Sequence, residues 1–491
     1  MRLAFASSCY YLPAKNLLFT ARALSGGTTH NPNLFSLLHQ SPNANHLRHL
    51  HAHLLRTSNY SDVVLSSKLV LAYSKLNRLF PTSLAVFWHM PHRNIFSWNI
   101  IIGEFSRSGF PSKSIDLFLR MWRESSVRPD DFTLPLVLRA CSVSREAARL
   151  GGLVHVLSLK LGFGISLFVS SALVIMYVDI GEILYARKVF DEMLVRDSVL
   201  YTAMFGGYVQ EGEAVLGLAL FREMMRSGFS LDSVVMVSLV TACGQLGTLK
   251  HGKSVHGWCI RRCSCLGLNL GNAVVDMYVK CSKLVYAYRV FVEMPRRDVI
   301  SWSSLVLGYG LDGDVVMSVK LFDEMLQEGI EPNAVTFLGV LSACAHGGLV
   351  DKSWMYFRQM QEDKIVPELK HYASMADCMA RAGLLEEAEK FMEEMPVEPD
   401  EAVMGAVLSG CKVYGNVEVG ERVARKLIQL KPGKAGYYVT LAGLYTAAAR
   451  FDEAESLRQW MKDKQISKKR RYAYSKSAFV FMQIGMIQQS G

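Results

Sequence analysis

Apolar positions in this chain follow helical spacing within short segments that are separated by glycine-rich breaks. The segment ISWSSLVLGYG at 300–310 ends in such a break, and VVMSVKLFDEMLQEG at 315–329 then resumes the helical spacing. Gly329 stands where a helix would stop, and Pro332 follows as a helix breaker. Two helices of about a dozen residues fit such a unit. Because strand-type alternation is scarce, the pattern predicts an all-α fold.

The same phrases recur along the chain at fixed distances. VFWHMPHRNIFSWN starts at 86, VFDEMLVRDSVLYT at 189 and VFVEMPRRDVISWS at 290, which gives spacings of 103 and 101 residues. Asp298 and Ser303 in the third copy therefore do not mark half of a catalytic triad, because one active site would not occur three times. The chain is an array of repeats.

A shorter period lies inside the long one and is marked by an aromatic residue three positions before a methionine. It predicts units of 31 to 36 residues, with the methionines at Met90, Met121, Met193, Met224, Met294, Met325 and Met360, and at Met395, where the aromatic residue stands four positions before. Units this short cannot bury a core alone, since the cost of ordering them exceeds the gain from the apolar area they hide. Stacking of neighbouring units into a solenoid is therefore expected.

Charge is concentrated at the two ends of the chain. The 491 residues carry a net charge of +10 and are 50% hydrophobic, which excludes a disordered protein. Residues 1–61 hold five Lys or Arg and no acid, and residues 462–491 hold seven against one acid. The remaining body has 42 basic and 43 acidic residues. Any affinity for nucleic acid must therefore come from a segregated face or from base contacts.

The N-terminal segment 1–30 has the composition of an organellar transit peptide. It contains Arg2, Lys15 and Arg22, is rich in Ala, Ser and Leu, and precedes the first acid of the chain, Asp62. The phrase TARALS at 20–25 favours the mitochondrion, and the chloroplast is the alternative. A disordered or wrongly assigned start is the other interpretation of this segment.

The uncharged segment 161–178 meets the minimum length for a membrane span. The corresponding segment one long period later, 266–279, contains the polar residues Asn269, Asn272 and Asp276. The repeat therefore predicts a loop followed by a buried helix and no membrane partner.

Three cysteines lie close together in CIRRCSC, namely Cys259, Cys263 and Cys265, with His256 upstream. Their spacing is not that of a common structural zinc site, and the His-Gly pair recurs at His155 as part of the repeat. We expect free thiols, with no metal and no cofactor.

Taken together, the motifs resemble those of the plant organellar pentatricopeptide repeat (PPR) proteins of the PLS subclass. The resemblance rests on F-x-x-M, the MP-x-RD junction, SW-x-x-L-x-x-GY, the Ala-Cys pair and N-A-x-x-DMY-x-K, and it covers about residues 31–466. It implies a right-handed α-solenoid of stacked helix-turn-helix repeats at 31–400, E-type helical motifs at 401–466 and a basic tail at 467–491. The implied repeats are 31–62, 63–94, 95–130, 131–166, 167–197, 198–232, 233–267, 268–298, 299–333, 334–368 and 369–400.

The resemblance further implies that each short or P-type repeat reads one RNA base with its fifth and last residues. The implied pairs are Ser67 with Asn94 for A, Asn99 with Asp130 for U, Ser171 with Asp197 for G, Thr202 with Asp232 for G, Asn272 with Asp298 for U, and Ser303 with Asn333 for A. The long repeats have no such pair; they carry Pro135 with Ser166, Val237 with Gly267 and Leu338 with Glu368. Apolar second residues, Val64, Phe96, Phe168, Val199 and Ile300, would sandwich the bases, and Asn269 departs from this pattern.

The pair residues also have a purely structural interpretation, because Asn, Asp and Ser are favoured as helix caps and in turns. Six coincident pairs favour the RNA interpretation. Ala373, at the fifth position of the last short repeat, is expected to read no base. The repeat 95–130 is one residue longer than usual, and 110–114 is expected to absorb the extra residue.

By the same resemblance, the chain is predicted to be an RNA-binding factor and not an enzyme. It would select the site A-U-x-G-G-x-U-A for C-to-U editing and recruit a DYW-type deaminase in trans through the E region. The sequence holds neither the H-x-E nor the C-x-x-C motif of a zinc deaminase. The alternatives are a factor that stabilises, splices or promotes translation of an organellar transcript, and a protein scaffold of the tetratricopeptide type.

Overall fold

A computed structural model describes residues 38, 44–57, 59–75, 80–124, 126–143, 145–229, 231–262, 266–464 and 466. The expected transit peptide at 1–30 and the basic tail at 467–491 lie outside these residues. Every regular element among the described residues is a helix. The chain divides into two compact units, Met1–Ser230 and Leu231–Gly491.

The described part of the first unit contains eleven α-helices and two short 3₁₀ helices. The α-helices are α1 (Ala44–Arg56), α2 (Val63–Lys75), α3 (Phe80–His89), α4 (Ile95–Arg107), α5 (Pro111–Glu124), α6 (Thr133–Cys141), α7 (Arg145–Lys160), α8 (Leu167–Asp179), α9 (Ile183–Glu192), α10 (Ser198–Gln210) and α11 (Ala214–Arg226). The 3₁₀ helices are Asn59–Ser61 and Phe163–Ile165.

The described part of the second unit continues the same alternation with fourteen helices. They are α12 (Ser233–Gln245), α13 (Leu249–Arg262), α14 (Leu268–Lys280), α15 (Leu284–Glu293), α16 (Val299–Asp312), α17 (Val315–Gln327), α18 (Ala334–Gly347), α19 (Val350–Glu362), α20 (Leu369–Arg381), α21 (Leu385–Glu393), α22 (Glu401–Tyr414), α23 (Val417–Leu430), α24 (Ala435–Ala447) and α25 (Phe451–Asp463).

From α2 onward, each even-numbered helix pairs with the odd-numbered helix that follows it, and the two form a hairpin. Within each unit, the first helix of a hairpin also packs on the first helix of the next hairpin. Left-handed glycines shape the turns: Gly313, with φ of 87°, caps α16, and Gly329, with φ of 72°, follows α17. The predicted all-α fold of stacked helical hairpins is confirmed.

The residues that mark the period in the sequence are core residues. Met121, Met325 and Met360 are fully buried at 0% exposure. The cysteines of the long period, Cys141, Cys243 and Cys344, are buried too, and burial raises the pKa of each thiol. The period therefore records which side chains fill the space between stacked helices.

Two glycines allow α16 and α18 to approach backbone to backbone. A Cβ added at Gly310 would lie 2.1 Å from the carbonyl oxygen of Gly339. A Cβ at Gly339 would lie 2.7 Å from the amide nitrogen of Leu307. Any side chain at either position would force the two helices apart.

One expectation about repeat length is wrong. In the 95–130 repeat the two helices start at Ile95 and Pro111, and in the 198–232 repeat they start at Ser198 and Ala214, so the offset between paired helices is the same. The extra residue therefore does not lie at 110–114; it lengthens α5, which has 14 residues against 13 in α11. The reason is that hairpin packing fixes where the paired helices start, while the C-terminal end of the second helix can extend by one residue.

The uncharged segment 161–178 forms the 3₁₀ helix Phe163–Ile165 and most of α8. In the described ranges, every helix is too short or too polar to cross a bilayer. The same ranges contain no cluster of three or more potential metal ligands. Cys263 and Cys265 lie outside them.

Candidate nucleic-acid interface

The twelve predicted reading residues occupy two recurring positions in the hairpins. The first member of each pair is the fifth residue of a first helix: Ser67 in α2, Asn99 in α4, Ser171 in α8, Thr202 in α10, Asn272 in α14 and Ser303 in α16. The second member lies just before the first helix of the next hairpin. In the same order, these residues are Asn94, Asp130, Asp197, Asp232, Asp298 and Asn333. Thr202 lies in the first compact unit and Asp232 in the second.

Asn99 and Asp130 are joined directly across two hairpins. The Asn99 amide donates from Nδ2 to Oδ1 of Asp130 at 3.1 Å. The hydroxyl of Thr133 lies 2.7 Å from Oδ1 of Asn99 and 2.7 Å from Oδ1 of Asp130. It therefore fixes the amide with its nitrogen towards the acid. Asn99 is only 6% exposed, so little of its side chain is open to a ligand.

The same arrangement recurs at Asn272 and Asp298 in the second unit. Nδ2 of Asn272 donates to Oδ1 of Asp298 at 3.0 Å, and the hydroxyl of Ser301 donates to Oδ1 of Asn272 at 2.6 Å. Oδ2 of Asp298 takes part in none of these bonds. Asn272 is 8% exposed, and the groups that these bonds leave unused are that oxygen and the second amide hydrogen of Asn272.

Hydroxyl residues at the fifth position bond to their own helix instead. Ser67 donates to Val63 O at 2.6 Å, Ser171 to Leu167 O at 2.6 Å and Thr202 to Ser198 O at 2.7 Å. Ser303 makes a longer bond of 3.3 Å to Ile300 O. Since each hydroxyl hydrogen is used, the oxygen of each side chain is left as an acceptor.

The second member of each pair also accepts from the backbone at a helix start, and all of them except Asp130 are the N-cap residue of that helix. Asn94 accepts from Ser97 N at 2.9 Å, Asp197 from Leu200 N at 2.9 Å and Asp232 from Val235 N at 2.8 Å. Asp130 accepts from Thr133 N, Asp298 from Ser301 N and Asn333 from Thr336 N. The structural interpretation of these residues therefore holds, and it is compatible with base reading because a cap uses one side-chain oxygen.

The sequence analysis missed the polar residue at the third position after the capping residue. Thr133 and Ser301 orient the reading amides, and His371 takes the same position in α20, where it lies 2.7 Å from the carbonyl of Ala334 on α18. The spacing N/D-x-x-S/T at 94–97, 130–133, 298–301 and 333–336 is a capping pattern that could have identified it.

The long repeats differ at the same positions. Pro135, Val237 and Leu338 offer no polar side-chain atom and are half-buried. Ser166 and Gly267 precede their helices without a side-chain cap bond. Pro135 also lacks the backbone N–H that would bond to residue 131, which explains why α6 begins only at Thr133. Ala373, the fifth residue of α20, likewise offers only a methyl group.

The second residues of the first helices form a partly exposed apolar series. Phe168 is 36% exposed and Val199 41% exposed, while Val64, Phe96 and Ile300 are half-buried. Asn269 is exposed and polar. The ammonium of Lys68 lies 5.8 Å from the centroid of the Phe96 ring, and burial lowers the pKa of this lysine.

Comparisons with protein families identify repeats over much of the chain. Residues 96–126, 199–229, 272–299, 335–365 and 370–398 match the PPR repeat, and residues 297–346 match the PPR repeat family. Residues 414–470 match the E motif.

Several plant proteins are similar along most of their length. Pentatricopeptide repeat-containing protein At4g14170 of Arabidopsis thaliana is 82% identical, and the match covers 95% of this chain and 98% of that protein. The chloroplastic Arabidopsis protein CRR2 is 36% identical (91% and 69%), and the mitochondrial protein At1g77170 is 37% identical (78% and 82%). A crystal structure of the pentatricopeptide repeat protein PPR10 from maize shares 16% identity with a TM-score of 0.39, covering 97% of this chain and 93% of that chain.

Proposed function

The chain belongs to the pentatricopeptide repeat protein family, and from that premise we propose that it is a sequence-specific single-stranded RNA-binding factor of an organelle. The alternation of repeat lengths and the E motif fit the PLS subclass. The observation that carries the proposal is the repeated Asn-Asp network with its Thr or Ser residue. It fixes the orientation of two reading amides before any RNA arrives, and such preorganisation lowers the cost of binding.

The geometry of the Asn-Asp pairs suits uracil. The free amide hydrogen of Asn272 can donate to a uracil carbonyl, and Oδ2 of Asp298 can accept from the N3–H group of the same base. Cytosine has an unprotonated N3 that would face the carboxylate, and a buried mismatch of this kind costs about 1–3 kcal/mol. The same argument applies to Asn99 with Asp130.

The hydroxyl pairs suit purines. An oxygen acceptor at Ser171, combined with the carboxylate of Asp197, complements the N1–H and amino groups of guanine, and the sequence pattern assigns the same base to Thr202 and Asp232. A serine oxygen can accept from the N6 amino group of adenine, and the amide nitrogen of Asn94 or Asn333, whose oxygen caps a helix, can donate to N1. With the chain running from the 5′ to the 3′ end of the RNA, the six pairs select A-U-x-G-G-x-U-A.

The binding test is a mobility-shift series. The intact protein should bind RNA carrying A-U-x-G-G-x-U-A more tightly than RNA in which the G and U positions are exchanged. Equal affinity for the two RNAs would refute the assignment of the pairs.

We place this activity in C-to-U RNA editing. The protein would select the RNA site, and the E region would recruit a DYW-type deaminase or other editing factors that act in trans. The mitochondrion is proposed from the composition of residues 1–30; relatives named as mitochondrial and as chloroplastic both occur. Sequencing of organellar transcripts in a plant lacking the protein should reveal the loss of editing at particular cytidines. Loss of a whole transcript with editing intact would instead indicate RNA stabilisation.

A further inference from the structure

A basic and aromatic surface lies on the second helices α3 and α5 of the first unit. It surrounds a cavity of about 480 Å³ whose lining includes Trp88 on α3 and Lys113, Arg120 and Arg123 on α5. We call these four residues the Trp88 surface. A cavity of this volume falls in the range that binds small ligands or parts of larger ones.

Guanidinium groups cover the indole ring of this surface. The guanidinium of Arg120 lies 5.6 Å from the Trp88 ring, and that of Arg93 lies 5.1 Å from it. Trp88 is half-buried, whereas Lys113, Arg120 and Arg123 are exposed. The surface therefore combines flat, stacked groups with cationic groups that reach solvent.

The structure shows no ion pair between the cations of the Trp88 surface and a described carboxylate. Among the described side chains, Lys113, Arg120 and Arg123 form no ion pair, and Asp116 is the one acid among the described lining residues. Three cations around one acid leave a net positive site. Such a site is complementary to a polyanion.

The charge distinguishes these two hairpins from the short and P-type repeats that follow. The residue before the period-marking methionine is His89 or Arg120 here, but it is Glu192, Glu223, Glu293 or Glu324 at the corresponding places further along the chain. One of those acids, Glu223, pairs with Arg196 at 3.4 Å. In that repeat the glutamate neutralises the arginine. In the Trp88 surface the corresponding position holds Arg120, which is a further cation.

The position of the surface identifies the part of the ligand it would meet. The helices α2 to α5 carry the pairs Ser67 with Asn94 and Asn99 with Asp130, which read the first two bases at the 5′ end of the site. In the proposed register, we expect the RNA upstream of those bases to pass close to these hairpins.

We propose that the Trp88 surface binds the single-stranded RNA immediately 5′ of the recognised site, without regard to its sequence. Arg120, Arg123 and Lys113 would contact phosphates, and bases would stack on the ring and guanidinium planes. This inference rests on the proposed RNA-binding function. It adds a second contact that increases affinity without altering the choice of bases.

The test measures fluorescence anisotropy with three RNAs and the intact protein. One RNA holds the eight-base site alone, one adds six nucleotides of mixed sequence at the 5′ end, and one adds them at the 3′ end. The variant is R120E/R123E. The control K320E/K390E makes the same charge change on exposed lysines of the second helices α17 and α21. Equal melting temperatures establish that the variants are folded.

We expect the 5′ extension to tighten binding by the wild type on the order of tenfold at 0.1 M salt, and the 3′ extension to have little effect. R120E/R123E should lose this gain, and the slope of log Kd against log salt for the 5′-extended RNA should fall by about 1.4 for two lost phosphate contacts. The control should behave as the wild type, and all proteins should bind the eight-base RNA equally.

Three outcomes would overturn the inference: no gain from the 5′ extension, a gain that survives in R120E/R123E, or displacement of the extension by polyglutamate as readily as by oligouridylate. The last outcome would indicate an acidic protein segment as the ligand. Failure of the proposed function would appear separately, as an absence of sequence preference on the eight-base RNA.

Discussion

Asp298 has two tasks that use different atoms of one carboxylate. Its Oδ1 accepts from Ile300 N at 3.1 Å and from Ser301 N at 3.0 Å, which caps α16, while Oδ2 is left for a base. Asn333 caps α18 through the equivalent bonds at 2.9 and 3.0 Å with an amide oxygen. An amide can therefore perform the structural task of the carboxylate.

This comparison predicts the result of D298N. The amide oxygen should retain the cap, while the amide nitrogen replaces Oδ2 and turns an acceptor into a donor. The preferred base at this one position should move from U towards C, by about 1–3 kcal/mol. Mobility shifts with the four bases at that position measure the change. An equal loss of affinity for all four RNAs would contradict the assignment, and N333D is the reciprocal control.

His371 is the one imidazole in the described first helices that lies three residues after the capping residue, which here is Glu368. Its Nδ1 accepts from Glu368 N at 2.9 Å, so Nε2 carries the hydrogen and donates to Ala334 O at 2.7 Å. Both nitrogens are thus committed in the neutral ring. The side chain is 0% exposed, and burial lowers its pKa from 6.5.

The pH dependence of stability follows from this bonding. A histidine whose pKa is lower in the folded state binds fewer protons there than in the unfolded state, so stability falls as the pH drops through 6.5 towards the folded pKa. H371T should flatten that fall, because Thr336 at the corresponding position of α18 accepts from the backbone N–H of the capping residue without titrating. Urea unfolding between pH 8 and pH 5 would measure it. An unchanged slope would show that other groups dominate, such as His51, His155 and His256, whose pKa values burial also lowers.

At the scale of helices, the close contact between α16 and α18 limits which residues the chain can carry at positions 310 and 339. G339A should destabilise the protein by about 1–3 kcal/mol or more, because its methyl group would overlap the α16 backbone. The matched control is G405A in α22, where no atom lies within 4 Å of the added Cβ. That change should stabilise by about 0.5–1 kcal/mol through helix propensity. Equal effects of the two substitutions on the free energy of unfolding would contradict the close packing.

The helical hairpins could be predicted from the sequence because they repeat. The hairpins could be predicted because the phrases at 86, 189 and 290 fix where one unit ends and the next begins. The extra residue of the 95–130 repeat was misplaced, since sequence alone does not show whether a loop or the end of a helix accommodates it. The orienting roles of Thr133 and Ser301 were missed as well, because they depend on contacts across hairpins 34 and 29 residues apart.

At the scale of the whole molecule, the array predicts a difference between replacing and deleting an RNA base. Any base at the two positions marked x should bind with nearly equal affinity, since Pro135 and Val237 present no polar atom to it. Deleting one x should weaken binding as much as several mismatches, because it shifts all later bases by one hairpin. Competition binding would distinguish the cases. Equal tolerance of deletion and replacement would contradict one base per hairpin.

The double use of the helix-capping residue also bears on how such a protein can change over generations. A substitution between Asn and Asp at the end of a repeat keeps a capping oxygen, so it alters the target without lowering stability. A substitution to a residue that cannot cap would cost about 0.5–2 kcal/mol in addition. New target sequences can therefore be reached by single steps of nearly constant stability, and the set of readable bases is confined to those that capping side chains can distinguish.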